Sequence, residues 1–160
     1  MHIKKLGKKL LPISREIVKE IRDEHPDSRS MGVDYGDANT GIAISDLTWT
    51  IATPFKVLKH TELYKLLPEI IKKEKVCLVV VGWPVNMNGS EGPQCLKVAT
   101  FIKKLQTLTD ASIHLFDERL STMAVHRTMI EADLSRKKQK QVVDKMSASY
   151  ILQGVLDMKN

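Results

Sequence analysis

Only two cysteines, Cys77 and Cys95, occur among the 160 residues. That is too few for the disulfide scaffold of a small secreted domain, and their spacing fits no zinc site. They read as reduced thiols in an intracellular protein. Apolar runs are short, and none approaches the ~20 residues a membrane-spanning helix needs. The N-terminus is basic, yet it lacks the apolar block and small-residue cleavage site of a secretory signal. Glu16, Glu20, Asp23, Glu24 and Asp27 follow closely, which disfavours an organelle transit peptide. The expected location is the cytoplasm, with an organelle interior as the alternative. There is no Walker phosphate loop, no G-x-S-x-G turn, no C-x-x-C and no H-E-x-x-H. The usual signatures of nucleotide hydrolysis, serine-type acyl transfer, dithiol redox chemistry and zinc proteolysis are therefore missing.

What is present fits one folded domain of ordinary size. With 42% apolar and 28% charged residues the chain can bury a core without a disulfide or metal staple. The net charge is +6, and its distribution is uneven. Residues 1–29 carry a net +3 and residues 133–145 another +3, while the rest of the chain is neutral. A neutral body with two basic patches suits a polyanionic partner, although a solvated charge run gives the same count.

The pattern divides into a basic N-terminal extension, residues 1–29, and a domain over 30–160. Ile13, Ile17, Val18 and Ile21 give the extension a weak helical period that Pro26 ends. Three short β segments follow at Met31–Tyr35, Gly41–Ser45 and Ile51–Leu58, with connections short enough for antiparallel hairpins. Thr61–Lys75 has a helical period, and Pro68 in its middle predicts a kink or a break. Val76–Val81 is an unbroken apolar run, as in a strand covered on both faces. After a long loop, Gly82–Gly92, a helix is expected over Pro93–Leu108, a strand over Ser112–Phe116, and helices over Thr122–Ala132 and Val142–Met158. The sum is an α/β protein with a five-stranded mixed sheet and helices on both faces.

Three acids stand out. Asp34 lies in an otherwise apolar strand between Gly32 and Gly36, where an inward carboxylate needs a partner. A plainer account satisfies it with turn amides. Asp117-Glu118-Arg119 closes the last strand, at the end of the sheet where ligands gather in open α/β folds. Neighbouring strand residues face opposite ways, so one of Asp117 and Glu118 reaches a common centre. A surface Arg–carboxylate cluster is the alternative. Asp144 shares a helix face with Ala148, Ile151 and Val155 and is expected in the first turn of that helix, where the helix dipole alone would explain it. Brought together, three carboxylates can hold Mg²⁺ or Mn²⁺, and two such ions can activate water against a phosphodiester.

The basic segment Arg136, Lys137, Lys138 and Lys140, expected in a loop beside Asp144 and joined by Lys145, would grip phosphates without reading sequence. Lys4, Lys5, Lys8 and Lys9 extend the track. Arg119, Asn86, Asn88 and Ser90 are further candidates for a nucleic-acid backbone or sugar, although the loop's own amides are an equal use for the last three. Trp83 suits stacking on a base or packing beneath the loop.

These residues together resemble the YqgF family of Holliday junction resolvases, also described as pre-16S rRNA nucleases. The resemblance rests on the Gly32-x-Asp34-x-Gly36-Asp37 opening, the loop from Gly82 to Pro93, Asp117-Glu118-Arg119 and the stretch Ser135–Lys145, in the family's order. It covers roughly residues 31–157. It implies a ribonuclease H-like fold with sheet order 3-2-1-4-5 and metal-dependent hydrolysis of nucleic acid. Asp34, Glu118 and Asp144 become the catalytic and metal-holding acids, with Asp117 as a substitute for Glu118. Departures are Asn39-Thr40 in place of a basic pair, Asn88 in place of an Asp, and Trp83 in place of a Leu. The first two remove charge near the expected site, which implies weaker substrate grip or turnover. The expected partner is an rRNA precursor or branched DNA, with no membrane, and the chain is expected to be a monomer or weak homodimer. A non-catalytic nucleic-acid-binding factor that has kept the fold is the rival from another class.

Overall fold

The computed structural model describes residues 12–120 and 136–159, with side chains described over 12–120 and 146–158. The predicted helix over Thr122–Ala132 lies outside these residues, as do Lys4, Lys5, Lys8 and Lys9.

Five strands form one sheet in the order β3-β2-β1-β4-β5. They are β1 (Arg29–Asp34), β2 (Asn39–Ser45), β3 (Ala52–Lys59), β4 (Val76–Trp83) and β5 (Ser112–Asp117). The first three pair antiparallel, and β4 pairs parallel with both β1 and β5. Short turns permit the hairpins, whereas the parallel pairings need helical crossovers. These are α2 (Leu63–Lys73), entered through a tight turn at His60–Glu62, and α3 (Pro93–Gln106). Pro68 does not break α2, which runs on through it. Its missing N–H costs one backbone bond, and Leu63, Leu67 and Ile71 hold the helix by burial.

The sheet separates two apolar layers. Met31, Val33, Val79 and Val81 pack under α2 and α3 with Leu63, Leu67 and Phe101. Ala43, Leu78, Val80 and Phe116 face the other way, against α1 (Arg15–Glu24) and the long last helix α4 (Arg136–Leu156). The alternation along β4 from Leu78 to Val81 follows from the strand period of two, and both faces are covered as the apolar run predicts. Each fully buried Leu or Ile of these layers contributes roughly 1.5–3 kcal/mol of transfer free energy.

The N-terminal segment joins the second layer. Ser14 caps α1 by accepting the Ile17 N–H, and Ile13, Val18 and Ile21 are buried against α4. Just before it, Pro12 bridges Leu115 and the Ile13 N–H donates to the Leu115 carbonyl at 2.7 Å, extending the edge at β5. At the opposite edge Asp46 organises the β2–β3 turn. Its Oδ1 accepts the Thr50 and Ile51 N–H groups at 2.8 and 2.9 Å, and Thr48 donates to its Oδ2. Partial burial opposes the charge, but these bonds outweigh it and lower the carboxyl to about 2.

Candidate active site

The site is built at the carboxyl ends of β1, β4 and β5, on the α4 face. Gly32 shows which face this is, because a Cβ there would lie 2.6 Å from the Ala148 carbonyl and 2.8 Å from Leu152 Cβ. Asp34, two residues on, shares that face. On the reverse side Tyr35 stacks on Phe101 of α3, ring centroids 4.8 Å apart, which anchors the strand end just after the carboxylate.

Glu118 comes from a tight turn, Glu118–Leu120, that follows β5 directly. Its side chain lies back over β4. A Cβ on Gly82 would be only 2.5 Å from Glu118 Oε1 and 2.7 Å from Ile151 Cδ1. Glycine is therefore the seat on which this carboxylate rests. The register places Val33 beside Val81, so Asp34 stands beside Gly82, one strand spacing (~5 Å) away. Asp34 and Glu118 are thus brought to one face at adjoining strand positions. Sequence reasoning placed both acids but missed Gly82, although a glycine ending an apolar run is a signal of close approach.

Asp117 has another occupation. Its carboxylate takes a two-pronged bond from Arg119, with Nη2 to Oδ2 at 2.6 Å and Nε to Oδ1 at 3.0 Å. It also accepts the Arg119 backbone N–H at 2.9 Å. The Arg119 side-chain hydrogen bond, helped by that backbone bond and charge, lowers the Asp117 carboxyl despite partial desolvation, and Asp117 in turn raises the Arg119 guanidinium. The surface cluster weighed as the alternative exists, but it engages Asp117 and leaves Glu118 to the common face.

Asp144 sits in α4 one turn before Ala148. Because α4 begins at or before Arg136, Asp144 is beyond the first turn, contrary to expectation, and a helix-end dipole does not explain it. Arg136, Lys137, Lys138 and Lys140 are likewise helical rather than looped, and Lys145 follows on the same helix. The side chains of all six lie outside the description. Backbone position still orders them. Gly32 touches α4 at Ala148 and Leu152, while Gln153 bonds Ala52 at the start of β3, so α4 runs from the carboxyl end of β1 towards its beginning. From the Gly32–Ala148 contact, two residues of strand lead to Asp34 and one helical turn leads to Asp144, each ~6 Å in the same direction.

In the Pro84–Gly92 loop the polar side chains of Asn86, Asn88 and Ser90 bond one another. Asn86 Nδ2 donates to Ser90 Oγ at 2.9 Å, and Ser90 donates through both N and Oγ to Asn88 Oδ1 at 3.0 and 2.6 Å. Trp83 is 4% exposed and belongs to the core, so it is not placed to stack on a base. Thr40 is fully buried too, on the layer beneath α2. Asp37, the second acid of the opening motif, is paired with Lys97 of α3 at 3.1 Å. Both cysteines are free thiols, Cys95 buried and Cys77 half-buried. Among the described residues no three His, Cys, Asp or Glu side chains gather at metal-binding distance, and no helix is long and apolar enough to cross a membrane.

Residues 28–158 match the RuvX family, described as Holliday junction resolvase. The chain belongs to the RuvX family. A hydrolytic nuclease is the function that membership supports. Curated relatives agree: proteins named "Putative pre-16S rRNA nuclease" from Paramagnetospirillum magneticum and Clostridium tetani are each 47% identical to this RuvX-family chain. The alignments cover 84% and 81% of this chain and 88% and 96% of the relatives. Among solved structures, RuvC of T. thermophilus, in complex with a Holliday junction substrate, superposes with a TM-score of 0.52 at 11% identity, over 79% of this chain and 91% of that one. That likeness bears on the fold, and the ribonuclease H-like sheet order implied by the family resemblance is the one observed.

Proposed function

We propose that this protein hydrolyses phosphodiester bonds in structured nucleic acid, and that its substrate is the 5′ end of the small-subunit rRNA precursor. The observation that carries the proposal is the seating of Glu118 over Gly82, beside Asp34, at the carboxyl end of the parallel strands. Two acids on one sheet face, with the backbone of Asp144 converging from α4, form an all-oxygen donor set. Hard divalent cations prefer such a set. Asp34, Glu118 and Asp144 are therefore the residues that would hold Mg²⁺, with Mn²⁺ as a substitute. Bound there, the cation would supply the charge that activates water and steadies the leaving oxygen. The chain's own part is to hold its carboxylates fixed in place. Arg136, Lys137, Lys138, Lys140 and Lys145 would take the phosphates of the incoming strand. The names of the curated relatives favour rRNA processing. The family description favours four-way DNA junctions as the second substrate.

The test is a cleavage assay on precursor rRNA and on a four-way junction, each with and without Mg²⁺. Metal-dependent cutting of the RNA, with the junction left intact, is the expected result. Asp34→Asn should lower cleavage at least ~10³-fold while leaving nucleic-acid affinity within about twofold, as loss of a group acting in the transition state does. An Asp34→Asn protein that cuts at the normal rate removes Asp34 from the reaction.

A further inference from the structure

The contacts of Arg119 set it apart from a side chain waiting for a phosphate. All three of its side-chain nitrogens are engaged: Nε and Nη2 on Asp117, and Nη1 on the Met87 carbonyl at 3.4 Å. Met87 is at the tip of the Pro84–Gly92 loop and is 88% exposed, so packing of its side chain gives the tip no hold. The loop is braced internally. The Gly89 N–H donates to the Asn86 carbonyl at 2.8 Å and the Asn86 N–H to the Ser90 carbonyl at 2.9 Å, besides the side-chain bonds of Asn86, Asn88 and Ser90. Gly89 holds φ +85°, and a Cβ there would stand 3.5 Å from Arg119 Nη1, so the loop lies directly against the guanidinium. Residues 86–90 are all exposed, so these bonds compete with water and the loop stays closed only while its tip is tied down.

Resting on the nuclease reading, we propose that Arg119 is the latch: a positioning residue, held by Asp117, that ties the loop tip to the end of β5 and keeps Glu118 seated over Gly82. Glu118 is the residue between the two partners. The Arg119 N–H bond to Asp117 Oδ1 closes the tight turn around it, and the guanidinium bond to the same carboxylate keeps that turn from opening. A lysine cannot replace the latch, because a point charge does not reach a carboxylate and a carbonyl in one planar fork. Asp117 then serves the site through Arg119 and does not substitute for Glu118.

The test uses the full chain and four variants: R119A, R119K, D117A and the double variant R119A/D117A, with folding checked by circular dichroism. Each single variant should lower kcat by 10- to 100-fold, and the double variant should be no worse than the poorer single, as for two parts of one device. Nucleic-acid affinity and its salt dependence should stay within twofold. Amide exchange at Gly89 and Ser90 should rise at least tenfold in R119A and D117A. The opposite pattern overturns the proposal: R119A weakens binding and reduces the salt slope by about one, as loss of a phosphate contact does, while D117A is neutral. Unchanged amide exchange in the loop overturns it as well. Should the wild-type protein cut neither substrate, the nuclease reading fails by itself, and the exchange data still decide whether Arg119 latches the loop.

Discussion

The two faces of the sheet are built by opposite means. Under α2 and α3 the layer is made of large side chains, Leu63, Leu67, Phe101 and Ile102 among them, which hold the helices off the strands. Against α4 the strands present Gly32, Ala43 and Gly82, and the helix answers with Ser147 and Ala148, so backbone approaches backbone. Large side chains fill space and tolerate exchange of volume. Close approach leaves no such slack. The catalytic candidates belong to the tight face, where a carboxylate such as Glu118 can be held by the shape around it.

This contrast can be broken most forcefully at Gly82. Gly82→Ala puts a methyl group 2.5 Å from the present position of Glu118 Oε1, so the carboxylate must shift, and should lower cleavage at least ~100-fold, on the scale of a misplaced catalytic group. Single-turnover rates on precursor rRNA measure the loss, and an unchanged rate would mean that the seat is irrelevant. Stability is the next scale. Gly32→Ala meets the Ala148 carbonyl, which as backbone cannot turn aside, and should cost about 1–3 kcal/mol in urea unfolding. On the looser face Leu67→Ala should cost about 2–5 kcal/mol, yet leave the rate per folded molecule unchanged. A drop in that rate equal to the one at Gly82 would erase the distinction between the faces.

The smallest effect lies at Asp46 in the β2–β3 turn, outside the close contacts of Gly32 and Gly82. Asp46 titrates at about 2 when folded, below its ordinary 3.8, so its stabilisation is present above about pH 4 and is lost as the pH falls through 2. Asp46→Asn should flatten the stability profile across that window. Because the residue is partly exposed, the difference at neutral pH should be only about 1 kcal/mol. Acid unfolding of both proteins, followed by circular dichroism, checks the sign and the window.

The loop residues show where sequence reasoning reaches its limit. Asn86, Asn88 and Ser90 have the side chains of a backbone-binding loop and equally those of a self-capped one, and only the turn geometry shows that they bond one another. Arg119 reads as a phosphate ligand until Asp117 and the Met87 carbonyl are seen around it. Trp83 was ambiguous for the same reason, since an aromatic ring serves a base or a core equally well, and here the core holds it. In α4 the run Arg136–Lys140 has too few apolar residues to show a helical period, so the helix start was legible only from Val142 onward.

Local chemistry wrote the strands, the crossover helices and the candidate acids into the sequence itself. Alternation with period two, helical spacing of apolar residues and a charge inside an apolar strand are properties of neighbouring residues, readable without a fold. Which carboxylate faces the common centre, and which is spent on an arginine, depends on strand register and on the room that a glycine on another strand leaves open. Those are relations between segments distant in the chain, and only their packing in three dimensions decided them.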